Sequence, residues 1–440
     1  MNLDILTYYE AIESTINLDE DIKYKSLVHP SDTQQSNVHN WYKFKEGYSP
    51  NLLNEILEYF SINKNVRLLD PFCGSGTTIL SSILLDTDIH VELATGIEVN
   101  PFIHFVADTK VKFSTLNTSA SKLFIKNLES IDIFNYTTEL NIPELSTIPK
   151  AFSHKTLIQL LNLRELIKNT FSDSYEANFF KLALASILEQ VSCMRKSGRA
   201  LKIVRELVDY DVKQIFIEKC CKMIEECEVL QSSHSPHTVS KAQIVNIDIR
   251  ELQPYDVFEG YNLVVFSPPY LNHFDYTEVY KIELWMLEFV SNKEEFRNLR
   301  YRTFRSHPSI KFEKTDIYKS YHSKIINDLI TYLESLEKKE QFYTTILGYI
   351  DDMYKTLSKL HSITSNDASL ACIVANSLFG SKKKDNLTPV ATDLIISEIA
   401  KDIGFEIVSI KVARELTRRG IAFPYGRESI IYFKKVSSSN

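Results

Sequence analysis

The chain has 440 residues, a formal net charge of −7 and a hydrophobic content of 44%. That content supports a packed core and excludes a disordered chain, and the length implies two domains or one with large insertions. No apolar run is long enough to span a membrane, Met1-Asn2-Leu3-Asp4 lacks a signal-peptide layout, and six irregularly spaced cysteines are no disulfide framework, so a cytoplasmic protein is expected.

In chain order, residues 1–60 read as a helical, peripheral flank with a loop from His29-Pro30 to Asn40. Val66-Arg67-Leu68-Leu69-Asp70 is a strand pattern, followed by the turn Pro71-Phe72-Cys73-Gly74-Ser75-Gly76-Thr77-Thr78 and a helical series through Ile79, Leu80, Ile83 and Leu84. Strand, glycine turn and helix open a nucleotide-type βα unit, in which the glycines admit close approach of a ligand to the backbone. A third glycine of the dinucleotide fingerprint is missing at Ile79, which weakens a nicotinamide-cofactor reading. The next strand, Thr95-Gly96-Ile97-Glu98-Val99, ends near an acid suited to ribose hydroxyls.

Residues 115–240 form a long insertion with helical periodicity. Leu157, Leu160, Leu161, Leu163 and Leu166 define one apolar face, and Phe179, Leu182, Leu184, Ile187 and Leu188 another. Cys220, Cys221 and Cys227, with His234 and His237, superficially resemble a zinc set. Their spacing matches no common zinc pattern, so buried thiols in a helix over Val212–Leu230 are the better reading and no metal is expected.

The core resumes at Ala242 and reaches Leu263-Val264-Val265-Phe266, a buried strand ending in Ser267-Pro268-Pro269-Tyr270. Consecutive prolines donate no backbone hydrogen bond and cannot extend a central strand. The turn is either an ordinary strand end or a stiff ledge of acceptors beside a ring, suited to a flat heterocycle with an amino group. Beyond it, Tyr276, Tyr280, Ile282 and Trp285 are candidates to line a pocket, with helix packing the better reading of Ile282 and Trp285.

A polar, aromatic-rich second insertion spans 291–345. Then come a buried strand at Ser369–Val374, a helix at Val390–Ile403 stopped by Gly404, and closing strands at Glu406–Val412 and Ser429–Phe433. Basic residues cluster despite the acidic balance: Arg195, Lys196, Arg199, Lys202 and Arg205; Arg297, Arg300, Arg302 and Arg305, with His307, Lys311 and Lys314 beyond; Lys382 to Lys384; and Arg414, Arg418, Arg419 and Arg427. Segregated cations in an acidic chain favour a polynucleotide partner, with Arg195, Lys196, Arg199, Arg302, Arg305, Arg418, Arg419 and Arg427 as candidate contacts. The alternation of strands and helices implies a doubly wound, mostly parallel α/β sheet of the Rossmann-like kind with a large helical insertion.

Asp70-Pro-Phe-Cys-Gly-Ser-Gly-Thr-Thr78 and Ser267-Pro-Pro-Tyr270 together resemble the amino-group DNA methyltransferases, which move a methyl group from S-adenosylmethionine to N4 of cytosine or N6 of adenine. The resemblance covers residues 37–110, 242–290 and 366–435. It includes a cofactor-flanking segment, Asn37–Lys45 with Ser49–Leu53, a ribose segment Gly96–Pro101 and an adenine segment Asn246–Arg250.

It implies a methyltransferase core from 61–114, 241–290 and 366–440. Ser267, Pro268, Pro269 and Tyr270 would be catalytic: the Ser267 hydroxyl and Pro268 carbonyl accept from the target amino group, and Tyr270 stacks on the flipped base. S-adenosylmethionine would lie against Asp70, Phe72, Cys73, Gly74, Ser75, Gly76 and Thr77, against Glu98, Val99 and Asn100, and against Asp248 and Ile249.

The implied partners are double-stranded DNA and a cognate restriction or defence protein. A serine opening the motif resembles the cytosine enzymes, whereas adenine enzymes more often carry Asp or Asn there. The order of the motifs departs from the commonest layout, which leaves both insertions as candidates for reading DNA. An adenine enzyme, an RNA guanine-amino methyltransferase and a non-catalytic DNA-binding relative are the alternatives.

Overall fold

The computed structural model describes residues 4–63, 65–137, 139–197, 200–233, 239–253, 255–272, 274–308, 310, 321–337, 342–380, 386–418 and 420–436. Its strands are β1 (Leu18–Glu20), β2 (Val66–Asp70), β3 (Val91–Ile97), β4 (Met194–Ser197), β5 (Ala200–Ile203) and β6 (Ala242–Val245). They continue with β7 (Tyr261–Phe266), β8 (Thr364–Ala375), β9 (Ser377–Phe379), β10 (Thr388–Val390), β11 (Phe405–Arg418) and β12 (Ile421–Lys435). The main sheet has eight strands in the order β1-β11-β12-β8-β7-β2-β3-β6. Only β12 runs antiparallel to its neighbours in that sheet, so the expected doubly wound, mostly parallel sheet is the observed one.

Period-two alternation explains why these runs are apolar throughout. Leu69, Val264, Phe266, Leu370 and Cys372 enter the core on one face of the sheet. Leu68, Leu263, Val265, Ala371 and Ile373 enter the core on the other. A strand covered on both faces needs no polar side, which is the parallel-sheet signature. On the first face lie the helices Phe342–Ile363 and Thr392–Ile403 and the N-terminal helix Asp4–Glu13. Ile5, Tyr9 and Ile12 of that helix are fully buried, so the expectation of a peripheral flank is corrected.

The stretch 115–240 folds as helices Thr118–Ser130, His154–Phe171, Tyr175–Val191 and Val212–Ser233. Asn117, Ser153 and Ser174 cap three of them by accepting a backbone N–H three residues on, each cap contributing about 1 kcal/mol. Both anticipated leucine and phenylalanine faces are buried, in one core with Phe102, Ile103 and Val106 of the sheet-covering helix Pro101–Val111. Cys220 and Cys227 pack in that core, whereas Cys221 is exposed, which corrects the expectation for the third thiol. His234 and His237 lie outside the described residues, and among those described no group of three metal-ligating side chains occurs.

The antiparallel ribbon β4–β5 was not anticipated, and β11 and β12 are far longer than their apolar cores. Register shifts at Ile407/Ser409, Val412/Arg414 and Glu415/Thr417 break the alternation that would have marked the full strand. The Arg418-to-Arg427 segment is therefore hairpin, with Arg418 paired to Ile421. No helix among the described residues is long and apolar enough to cross a membrane.

One carboxylate joins the helical insertion to the front of the sheet. Glu226 accepts from the Val38 N–H at 3.0 Å, the Asn40 Nδ2 at 2.8 Å and the Trp41 Nε1 at 2.9 Å. Glu226→Ala would strand the buried Trp41 and Val38 donors, each costing about 1–3 kcal/mol. A loss of about 3 kcal/mol in urea denaturation is expected, with Glu226→Gln losing less; unchanged stability would remove the carboxylate from this role.

Candidate functional site

β2 and β7 pair in parallel, Leu68 with Leu263 and Leu69 with Val264. From β2 the sheet continues to β3 and β6 on one side, and from β7 to β8 and β12 on the other. Ligands of open α/β sheets bind outside the carboxyl ends at such a reversal. The glycine turn leaves β2 there, and the double-proline turn leaves β7 beside it. Between them opens a cleft of about 800 Å³ of non-atom space, including its mouth. Phe72, Gly74, Glu98, Val99, Asn100, Asp248, Ile249, Ser267 and Pro269, widely spaced in sequence, all line it.

Gly74 has φ +51°, and a Cβ there would stand 3.0 Å from the Phe44 ring, which also lines the cleft. Asp70, Cys73, Ser75, Gly76 and Thr77 stand behind the residues that line the cleft. Each builds the turn from there. Asp70 is buried and accepts from the Phe72 N–H at 3.1 Å, the Tyr48 hydroxyl at 3.2 Å and the Thr78 hydroxyl. Cys73 N–H donates to the Ile97 carbonyl at 2.9 Å, and the Ser75 carbonyl accepts from buried Lys110 at 3.1 Å. Gly76, at φ +83°, packs on Ala107, and Thr77 starts the following helix.

Glu98 sits just beyond the end of β3. One of its oxygens accepts the Asn100 N–H at 2.8 Å. Desolvation pushes its carboxyl from 4.5 up to about 7, against the pull of the Asn100 and Gly74 N–H groups. Burial likewise raises Asp70 to about 7. Asn100 caps the helix Pro101–Val111 through its side-chain oxygen, which leaves its buried Nδ2 without a partner among the described residues.

Asp248 is clasped by Arg250, whose Nε lies 2.9 Å from Oδ1. The same guanidinium reaches Asp352 at 2.8 Å and the Arg302 carbonyl at 2.8 Å, and it lies over the Phe304 ring. Arg305 in turn holds Asp352 through Nε at 3.0 Å and pairs with Asp351. This network seats Arg302, Thr303, Phe304, Ser306 and His307 as a wall of the cleft. Phe304 packs edge-on against Phe72, ring centroids 5.5 Å apart. The second insertion thus reaches the cleft, whereas none of the described residues of 115–240 lines it. Sequence reasoning missed this wall; its signal was a run of aromatic and hydrogen-bonding residues inside a polar insertion.

In the double-proline turn, Ser267 and Pro269 face the cleft and Pro268 is buried. Tyr270, half-buried beside Pro269, donates its hydroxyl to Glu428 of β12 at 2.8 Å. Phe274 and Tyr276, centroids 4.7 Å apart, line the cleft. Tyr280 is buried, donates to Glu46 at 2.6 Å and stacks on Phe44, while Ile282 and Trp285 are core, as helix packing predicts.

Most expected polynucleotide contacts serve the fold. Lys196 is buried with Glu283 and donates to the Tyr42 hydroxyl at 2.6 Å. Arg427 pairs with Asp393 and Glu13, each at 2.7 Å, and Arg305 with Asp351 and Asp352. Arg195 donates to the Glu189 and Met194 carbonyls, and Arg418 to the Leu378 and Gly380 carbonyls. Lys196, Arg305 and Arg427 are thus charge-paired inside the protein, whereas Arg195 and Arg418 donate to neutral carbonyls and keep their net charge. Arg302 is exposed at the cleft. Arg199, Arg419, Lys311, Lys314 and Lys382 to Lys384 lie outside the described residues.

A carboxyl raised in the folded state holds its proton above the unfolded range. It contributes stability below pH 4.5 that is lost as pH rises towards about 7. Glu98→Gln should therefore gain stability relative to wild type between pH 5 and 8, by at most about 3 kcal/mol. Thermal denaturation of ligand-free protein across that range tests this; a constant difference would mean a solvated Glu98.

No protein-family model matches the chain. The type II methyltransferase M.BsoBI of Geobacillus stearothermophilus is 25% identical over 93% of this chain and 85% of its own length. The type II methyltransferases M.AvaI of Anabaena variabilis and M.MvaI of Kocuria varians are 22% and 23% identical over 85% and 83% of this chain, and 80% and 81% of their own lengths. A solved rRNA methyltransferase, aviRa of Streptomyces viridochromogenes, aligns over 92% of each chain at 11% identity with a TM-score of 0.31, too loose a match to bear on function. Over most of its length the chain is therefore similar to type II methyltransferases, in keeping with two motifs that meet in one cleft.

Proposed function

We propose that this chain is a site-specific DNA methyltransferase of a restriction-modification system, acting on the exocyclic N4 of cytosine in double-stranded DNA. The observation that carries this reading is the Ser267-Pro268-Pro269 turn opening into the same cleft as Gly74, Glu98 and Asp248. The relatives' shared description as type II methyltransferases supports the DNA and restriction-modification parts. A serine at the head of the turn supports cytosine.

The cleft fits the methyl donor. Glu98 offers a half-buried carboxylate for ribose hydroxyls, and Asn100 a buried amide without a partner among the described residues. Asp248 accepts an amino group through Oδ2, which also takes Arg250 Nη2, since the Arg250 backbone N–H and Nε both take Oδ1, between Ile249, Phe304 and Phe72. Gly74 lets the methionine part approach the backbone. When bound, S-adenosylmethionine supplies an electrophilic methyl on sulfonium sulfur.

The chain's own task is to make an amine attack. The lone pair of a cytosine amino group is delocalised into the ring. Acceptors on both N–H bonds favour a pyramidal nitrogen and free the lone pair. The Ser267 hydroxyl and the Pro268 carbonyl serve as these acceptors, and the two prolines hold them rigidly. They stabilise positive charge growing on nitrogen, whose proton then departs without a strong base. The base must be rotated out of the duplex to reach them, and Phe274 and Tyr276 give it aromatic walls. Tyr270 pins the turn to β12 through Glu428. Arg302 at the mouth contacts phosphate.

Tritiated-methyl transfer to duplex DNA, single-stranded DNA and tRNA, followed by mass spectrometry of the digested product, is the test. N4-methylcytosine from duplex DNA is expected; N6-methyladenine would overturn the base, and label only in tRNA would overturn DNA. Ser267→Ala should lower turnover on the order of 10²–10³ while cofactor affinity by titration calorimetry stays unchanged. Equal loss of cofactor binding would show that the hydroxyl belongs to the cofactor's half of the cleft.

A further inference from the structure

His307 was grouped by sequence with the basic residues of the second insertion, yet it is 3% exposed and lines the cleft. Neither of its ring nitrogens has a hydrogen-bond partner among the described residues. Burying an imidazole with both nitrogens unpaired costs on the order of 1–3 kcal/mol per group, and packing alone gives no reason to keep it. Desolvation and the nearby Arg300 hold it below the ordinary histidine range against Asp275, so the ring is neutral and presents one N–H donor and one acceptor.

Its neighbours place it in the half of the cleft that serves the double-proline turn. Arg300 Nε is 2.8 Å from Asp275 Oδ2, an ion pair that fastens the second insertion to the segment between Ser267 and Tyr276. Asp275 caps the turn of helix that begins at Tyr276 by accepting the Thr277 and Glu278 N–H groups. Phe274 and Tyr276, on either side of Asp275, are the aromatic walls. The cofactor half, by contrast, is closed by Arg250 and Phe304 against Asp248 and Phe72.

We infer that His307 is a base-reading residue, whose ring N–H donates to the acceptor edge of the flipped target base. The inference rests on the methyltransferase reading above. Once both hydrogens of a cytosine amino group are taken by Ser267 and Pro268, the base offers N3 and O2, both acceptors. Buried without donors, they would oppose entry; a neutral imidazole N–H meets one of them. The site then rejects a base whose facing atom is a donor or a C–H, because that base leaves the imidazole and its own polar edge unpaired.

The test compares His307→Phe and His307→Asn with wild type on unmethylated bacterial genomic duplex DNA with tritiated S-adenosylmethionine. His307→Phe should lower kcat/KM on DNA by tenfold or more, with cofactor affinity by calorimetry unchanged and melting temperature equal or higher. His307→Asn, which restores a donor, should recover most of the loss. A purely structural histidine predicts the reverse, a lower melting temperature with activity following it. Wild-type kcat/KM in His307→Phe, or a parallel loss of cofactor affinity, overturns the inference while leaving the methyltransferase reading intact. No label from wild-type protein overturns both.

Discussion

The parallel pairing of β2 with β7 is the constraint on which the site depends. Each strand ends in a turn that a side-chain-bearing or donor-bearing chain could not make: one needs φ > 0 at Gly74 and Gly76, the other two prolines with no N–H to offer. Because the strands are adjacent and in register, these turns face each other at the reversal of strand order. A slip of one residue would turn every buried side chain of β7 to the opposite face, so the two cores on either side of the sheet hold the register that aligns the turns. The site is a consequence of sheet packing before it is a set of catalytic groups.

Charge plays the second structural part. Asp351 and Asp352 are fully buried on the helix Phe342–Ile363, and Arg250 and Arg305 are drawn in to meet them. A buried carboxylate without a partner is costly, whereas a fully paired cluster is close to neutral in net stability and strict in geometry. The strictness is what matters here. Arg250 joins the Asp248 end of the cleft to the backbone of Arg302 and Thr303, which fixes Phe304 and His307 in place. The same logic at Lys196 and Glu283 ties the β4–β5 ribbon to Tyr42 beneath the cleft. Lys196, Arg305 and Arg427, which look like a polynucleotide surface in the sequence, are rivets between elements.

How much was legible follows from how local each signal is. The buried strands, the glycine turn, the helical faces of 115–240 and the Gly404 stop are written in contiguous residues, and they stand as read. Glu98, read from its offset beyond the glycine turn, and Asp248, implied by the resemblance, both line the cleft. What was lost is pairing at a distance. Tyr270 meets Glu428 across 158 residues, Lys196 meets Glu283 across 87, and Arg305 meets Asp352 across 47. No periodicity encodes such partners, so the Tyr270 anchor to Glu428 and the ion pairs of Lys196, Arg305 and Arg427 were not legible. The wall at 302–307 was hidden for the same reason: its residues are ordinary until Asp352, far along the chain, holds them against the cleft.

The cleft carries several costs at once. Glu98 is desolvated, and among the described residues neither Asn100 Nδ2 nor either ring nitrogen of His307 has a partner. Each lowers the stability of the ligand-free protein by an amount comparable to a lost hydrogen bond. Such groups are offset only if something binds and pairs them, and a ligand that binds the folded state alone stabilises it by its own mass action. Glu98 and Asn100 lie at the ends of β3 and at a helix cap, on rigid elements, while His307 lies on a segment held by ion pairs. Glu98 and Asn100 are thus built into the sheet and its helix cap, whereas His307 is held at the cleft by the ion pairs that Arg250 and Arg305 make with Asp352.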